Sequence, residues 1–235
     1  MKTIKLNLLL IIISLTFYSC IIDDYESFND ANIKFITYWK DDIFNSQDFK
    51  NSILVDGDTL SLKDLKYVIS DLKLTSDRDT INIVDYKLMK GFDNFNIDNI
   101  NNDVYKISFN FGIENVNDNF SQLKAQNFDI ENGYYFMKMS FKKKNRDSLY
   151  NYNIAKKSIS SRVKSFKIII DGFQPSKGYF ISEAVIGLNL KNLLTNPNLI
   201  SLDSLTSNSL DNENLQLQMI ENSKNIFYLE RFNYD

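Results

Sequence analysis

The chain of 235 residues has no histidine, one cysteine, one tryptophan, two prolines and seven glycines. Without histidine it lacks the usual general base at neutral pH, the Ser-His and Cys-His nucleophile pairs, and the commonest metal ligand. One cysteine cannot close an internal disulfide or build a Cys-based zinc site. No glycine-rich phosphate loop of either standard form is present. Carboxylates, or serine with lysine, are all that remain for catalysis, so no enzyme and no cofactor is expected. Abundant Asn, Asp, Ile and Lys beside scarce Gly and Pro reflect AT-rich coding bias.

The N-terminus holds Lys2 and Lys5, then an apolar run from Leu6 to Phe17, then Tyr18-Ser19-Cys20. A basic stretch, a greasy stretch and a small residue before a cleavage point make the plan of a secretory signal peptide, residues 1–19. The run is short of the roughly 20 residues that a spanning helix needs. Leu15 to Cys20 resembles a lipobox, in which signal peptidase II cuts before the cysteine and acyl chains such as palmitate are attached. Cys20 is therefore the expected lipid attachment site, and residues 20–30 the lipidated cysteine and tether. Several acyl chains hold firmly, because each buried methylene contributes about 0.8 kcal/mol. Ile21, rather than Asp, follows the cysteine, as in lipoproteins of the outer membrane. Asp23-Asp24 resemble the acidic stretch that carries some Bacteroidota lipoproteins to the cell surface. The membrane, through this lipid, is one expected partner.

Removing the signal takes away two lysines and no acid, so the net charge of -3 becomes -5. A mildly acidic domain has little attraction for nucleic acid. The partner beyond the membrane is an unnamed protein or small ligand. About 215 residues remain, enough for one β domain over 31–235.

Period-2 alternation dominates that stretch and predicts half-buried strands. Tyr105, Ile107, Phe109 and Phe111 share one face; Lys106, Ser108 and Asn110 share the other. Ile33, Phe35 and Trp39, with Thr37 between, predict a first strand. Phe166, Ile168 and Ile170 alternate, as do Ala184, Ile186, Leu188 and Leu190. Tyr135, Met137, Met139 and Phe141 fill one face of a strand whose other face begins aromatic. From Leu65 to Leu74 the phase changes, and a β-bulge at Ser70-Asp71 restores it. Asp56-Gly57-Asp58, Lys142 to Asp147 and Asp171-Gly172 carry turn chemistry. Asn119 to Ala125 predicts a turn or two of helix, and Asn214 to Leu229 a terminal helix. Many strands and few helices point to an all-β, two-layer sandwich.

Four features bear on chemistry. Ser161 and Lys164 have S-x-x-K spacing, but the K-T-G and S-D-N partners are missing, so they read as a polar loop. Asp56 to Asp58 and Glu114 to Asp118 offer oxygen ligands for a hard cation, yet neither completes an EF-hand and turns use the same residues. Lys142 to Arg146 read as a solvated hairpin tip. Met137 and Met139 could hold Cu(I) and more simply pack the core. No metal ligand is expected.

Leu65 to Leu74 resembles the Y-x-I-S-N-I-x-L strand of MbnP-like domains, exported proteins related to a copper-binding partner of methanobactin systems. Phe109 to Ile113 is similar to that family's F-x-I-G-V strand end, and Asn132 to Met139 to its S-G-Y-I-F-M-K-L strand. The resemblance implies an exported β domain from about Ala31 onward, with copper bound through histidine. Phe128 and Ile130 stand where the family has a W-x-W pair, and Asn153 where its Y-H-I-G segment has histidine. The sequence thus suggests the fold without the histidine copper centre, in a binding or accessory role in the envelope. The alternative is a metal-handling protein using Met, Tyr or carboxylate ligands.

Overall fold

The computed structural model describes residues 29–39, 42–43, 52–55, 58–76, 79–100, 104–114, 120–143, 147–158, 161–171, 181–205 and 209–234. Cys20, its signal segment, Asp56-Gly57, Asn115 to Asp118, Lys144 to Arg146 and Gly172 lie outside them.

Among the described residues thirteen strands dominate the order: β1 (Asn29–Trp39), β2 (Asp42–Ile43), β3 (Ser52–Val55), β4 (Asp58–Ser76), β5 (Thr80–Met89), β6 (Phe92–Ile100) and β7 (Val104–Phe111) come first. Helix α1 (Ser121–Ala125) follows, then β8 (Asp129–Ile130), β9 (Gly133–Lys143), β10 (Leu149–Lys156), β11 (Phe166–Ile170) and β12 (Ile181–Asn189). Helix α2 (Leu190–Thr195), a 3-10 turn at Leu202–Ser204, helix α3 (Glu213–Ser223) and β13 (Phe227–Tyr234) end the chain.

Two sheets pack face to face. The five-stranded sheet runs β13-β12-β1-β2, with β6 also paired to β1. The eight-stranded sheet runs β10-β9-β4-β7-β11, with β3 and β5 on β4 and β8 on β9. The β1–β12 pair is parallel and the other strand pairs are antiparallel. Alternation decides which residues meet between the sheets. Phe35 of the smaller sheet meets Phe109 of the larger at 5.3 Å between ring centroids, and Phe227 meets Phe109 at 5.2 Å. Phe35 and Phe109 are fully buried, each worth about 1.5–3 kcal/mol relative to exposure. Thr37, the polar residue on the inward face of β1, is also fully buried. Its Oγ1 donates to the Gly91 carbonyl at 2.6 Å, so the hydroxyl is satisfied.

The expected bulge in β4 is present. Asp71 has φ 55°, and the pairing registers shift between Ser70 and Lys73 against β7 and between Leu72 and Lys73 against β5. That lets Tyr67 and Ile69 before it, and Leu72 and Leu74 after it, all be buried. The hairpin ends agree too: Leu149 pairs with Lys142, and Val55 with Asp58.

Two boundaries differ from expectation. The terminal helix stops at Ser223, and Phe227 to Tyr234 form a strand against β12. Asn222 enforces the stop: its side chain is buried and spent on the Leu193 and Asn198 carbonyls at 2.8 and 2.7 Å. The strand expected to run to Leu190 ends at Asn189, whose side chain accepts from Lys191 N–H and caps α2.

Candidate functional site

The three positions that set this chain apart from the family pattern, Phe128, Ile130 and Asn153, gather around one strand, β9. Gly133 begins it, and a Cβ there would lie 1.8 Å from the Lys156 carbonyl. Only glycine lets β9 start this close to the end of β10. β8 then pairs with β9 through Asp129–Tyr134 and Ile130–Gly133, and the Tyr135 N–H donates to the Phe128 carbonyl at 2.9 Å. The peptide around Phe128 is thereby pinned beside Tyr135, their rings 6.0 Å apart.

A second irregularity completes the site. Ile154 faces Met137 and Ala155 faces Tyr135, so β9 has one residue, Phe136, with no partner on β10. The bulge brings Tyr135 and Lys138, three apart, to one side. Lys138 Nζ lies 4.2 Å from the Tyr135 ring centroid and 5.5 Å from that of Phe128, and it donates to the Asn127 carbonyl at 2.7 Å. Asn153 sits directly opposite Lys138 on β10, and Lys66 directly opposite on β4. Paired residues project to the same face. Desolvation first, and then the Lys66 charge, lower the pKa of Lys138, while Asp129 and Asp64 oppose them.

This place therefore holds an ammonium group beside two aromatic rings, with an amide where the resemblance implies histidine. Cation–π contact and the Asn127 carbonyl satisfy the cation. Copper does not fit here: Asn153 offers an amide, a poor ligand beside imidazole, and Lys138 is a like charge next to it.

The other sequence candidates do not converge. Ser161 and Lys164 line separate clefts, Ser161 with Lys157, Asp211 and Gln216, Lys164 with Lys156 and Lys167. Ser161 Oγ instead accepts from the Val163 N–H at 3.2 Å, a local loop contact. Met137 and Met139 are 0% and 1% exposed and belong to the core. In register, Tyr67 separates Met137 from Met89, which is also fully buried. Lys142 pairs with Asp147 at 3.0 Å at the hairpin tip. Among the described residues no three His, Cys, Asp or Glu side chains gather to hold a metal ion, and no described helix is long and apolar enough to cross a membrane.

One group of oxygen ligands was not found from sequence. Tyr38 and Tyr228, whose rings are 6.1 Å apart, both hydrogen-bond Glu230. Burial first and Glu230 second push both phenols upward. The Tyr228 ring fills the space over Gly187, where a Cβ would meet it at 2.4 Å. No spacing signal could have joined residues 38 and 228.

The family model for MbnP matches residues 29–219, from β1 into α3. Among solved structures, MbnP from Methylosinus trichosporium matches with a TM-score of 0.53 at 9% identity, covering 74% of this chain and 80% of that chain. At that identity the likeness speaks for the fold. No curated protein matches the chain. With four-fifths of its length matched in one unbroken stretch, and with the two-sheet fold in common, the chain belongs to the MbnP family.

Proposed function

We propose that this protein is a lipid-anchored, extracytoplasmic lipoprotein of the outer membrane whose MbnP domain has a binding or accessory role in the envelope, without a histidine copper centre. One observation carries the copper part: Lys138, held over Tyr135 and Phe128, stands opposite Asn153. The anchor rests on the segment from Lys2 to Cys20. Copper titration of the full chain in detergent tests the first part, with no tight stoichiometric uptake expected; uptake at one equivalent would overturn it. Cys20→Ser tests the second, because the variant should leave the membrane fraction. Continued membrane fractionation would count against the anchor.

A second reading, a metal-handling protein with oxygen ligands, is favoured by Tyr38 and Tyr228 sharing Glu230. Ferric ion bound there would displace two phenol protons and give a phenolate charge-transfer band in visible light. Loss of that band in Tyr228→Phe is its requirement.

A further inference from the structure

The end of β10 carries a buried cation that neither the fold nor the Lys138 site explains. Lys156 is 8% exposed. Its Nζ donates to the backbone carbonyl of Glu114 at 2.7 Å, and among the described residues it has no ion-pair partner. Desolvation first, and the Lys164 charge as well, disfavour this ammonium, and the Glu114 carboxylate offsets them only in part, so a bound anion would offset the rest.

Lys156 opens on a cleft of about 490 Å³, lined also by Lys164, Lys167, Asn110, Ser165 and Glu114. Lys164 and Lys167 are exposed, and neither forms an ion pair among the described residues. The β7–β11 register sets Lys167 directly opposite Asn110. Six lysines elsewhere, Lys34, Lys73, Lys87, Lys142, Lys157 and Lys224, each find a carboxylate, while Lys66, Lys90, Lys124 and Lys191 form no ion pair among the described residues but lie apart from this cleft. In a chain of net charge -3, three lysines without an ion pair on one cleft give it a local positive charge.

We propose that this cleft binds a phosphoryl group, with Lys156 at its floor and Lys164 and Lys167 at its mouth. Three ammonium groups and the Glu114 carboxylate leave a surplus of two positive charges, matching the roughly −1.5 to −2 of a phosphate near pH 7. Asn110 and Ser165 supply neutral donors beside the charged ones. The volume lies within the roughly 300–1,000 Å³ of small-molecule sites. Glu114 gives selectivity. Inorganic hydrogen phosphate keeps an O–H that its carboxylate accepts, whereas sulfate, like a fully ionised phosphate ester, has no proton to offer and meets that carboxylate as a repelled charge. The inference stands apart from the copper question and from the anchor.

The test is calorimetric titration of the full chain in detergent at pH 7 with inorganic phosphate, glycerol 3-phosphate and sulfate. Saturable binding of inorganic phosphate, tighter than sulfate by at least about tenfold, is the expected result. Inorganic phosphate alone binding would identify a free-ion site, and glycerol 3-phosphate binding more tightly would identify an ester site. Lys164→Gln and Lys167→Gln lie at exposed positions where folding is not at stake, and each should weaken binding about tenfold. Lys156→Gln should weaken it further, and Glu114→Gln should narrow the gap between phosphate and sulfate. No saturable binding of either phosphate, equal affinity for sulfate, or unchanged affinity in both Lys164→Gln and Lys167→Gln would overturn the proposal.

Discussion

The side-chain amide of Gln216 is bonded to the main chain at Asn153: Nε2 donates to the Asn153 carbonyl at 2.8 Å. Oε1 of the same amide accepts from the Ala155 N–H at 3.1 Å. β10 is the last strand in the path of the large sheet, and here its outer edge leaves main-chain groups facing α3. One glutamine on that helix does what an adjacent strand would do, and it closes an edge that could otherwise template aggregation. Gln216→Ala leaves two backbone groups unsatisfied and should cost about 2–4 kcal/mol. A fall in the urea midpoint, with unchanged slope, is the measurement. A midpoint within error of the parent would show that water replaces the glutamine without loss.

Gly133 is confined by backbone, not by a side chain that could swing away. Gly133→Ala should therefore cost about 3 kcal/mol, the upper end for overpacking. Thermal unfolding reads it, and the same substitution should broaden the amide signals of β8 and the end of β10.

Glu183 ties three strands together. It accepts from Lys34 of β1 and, at 2.6 Å, from Arg231 of β13. The Lys34 and then the Arg231 hydrogen bonds hold its carboxyl below the ordinary 4.5. In the unfolded chain the group protonates first, so this contribution is fully present above about pH 4.5 and is lost as pH falls through the lower folded value. Glu183→Gln should flatten the decline in stability below pH 4.5, read by denaturant midpoints from pH 3 to 6. An unchanged slope would assign the acid sensitivity to other carboxylates.

Met137 and Met139 together test whether thioethers do anything but pack. Replacing both with leucine preserves volume and should cost less than about 1.5 kcal/mol at each position. Cu(I) uptake should equal that of the parent. Loss of a Cu(I) equivalent in the double variant would show that buried sulfur had become accessible.

Much of this fold is legible from residue order because alternation reports burial directly. Phe35, Phe109 and Ile186 all fall inward as their strands' period predicts. The break at Asp71 was readable since one skipped residue reverses the phase of everything after it. The bulge at Phe136 was not, because aromatic residues occupy both faces of β9 there and no polar residue marks a reversal. The end of α3 was hidden for a related reason: no Gly or Pro lies between Ser223 and Phe227, and the stop is set by tertiary bonds to Asn222. The Lys138 site and the lysine cleft depend on that bulge and on strands far apart in the chain. Lys164 looked like half of a two-residue motif, whereas its neighbours in space are Lys156 and Lys167.

The parallel pairing of β1 with β12 has a consequence in time. Synthesis delivers Asn29 to Trp39 before the other described strands, yet its partner Glu183 lies 151 residues after Asn32. Until that segment emerges, β1 keeps an open edge, and the five-stranded sheet cannot close. Such long loops are slow to close during folding. The first-made of these strands is thus the one that waits longest for its place, and a chain cut short before Ile181 would leave it exposed.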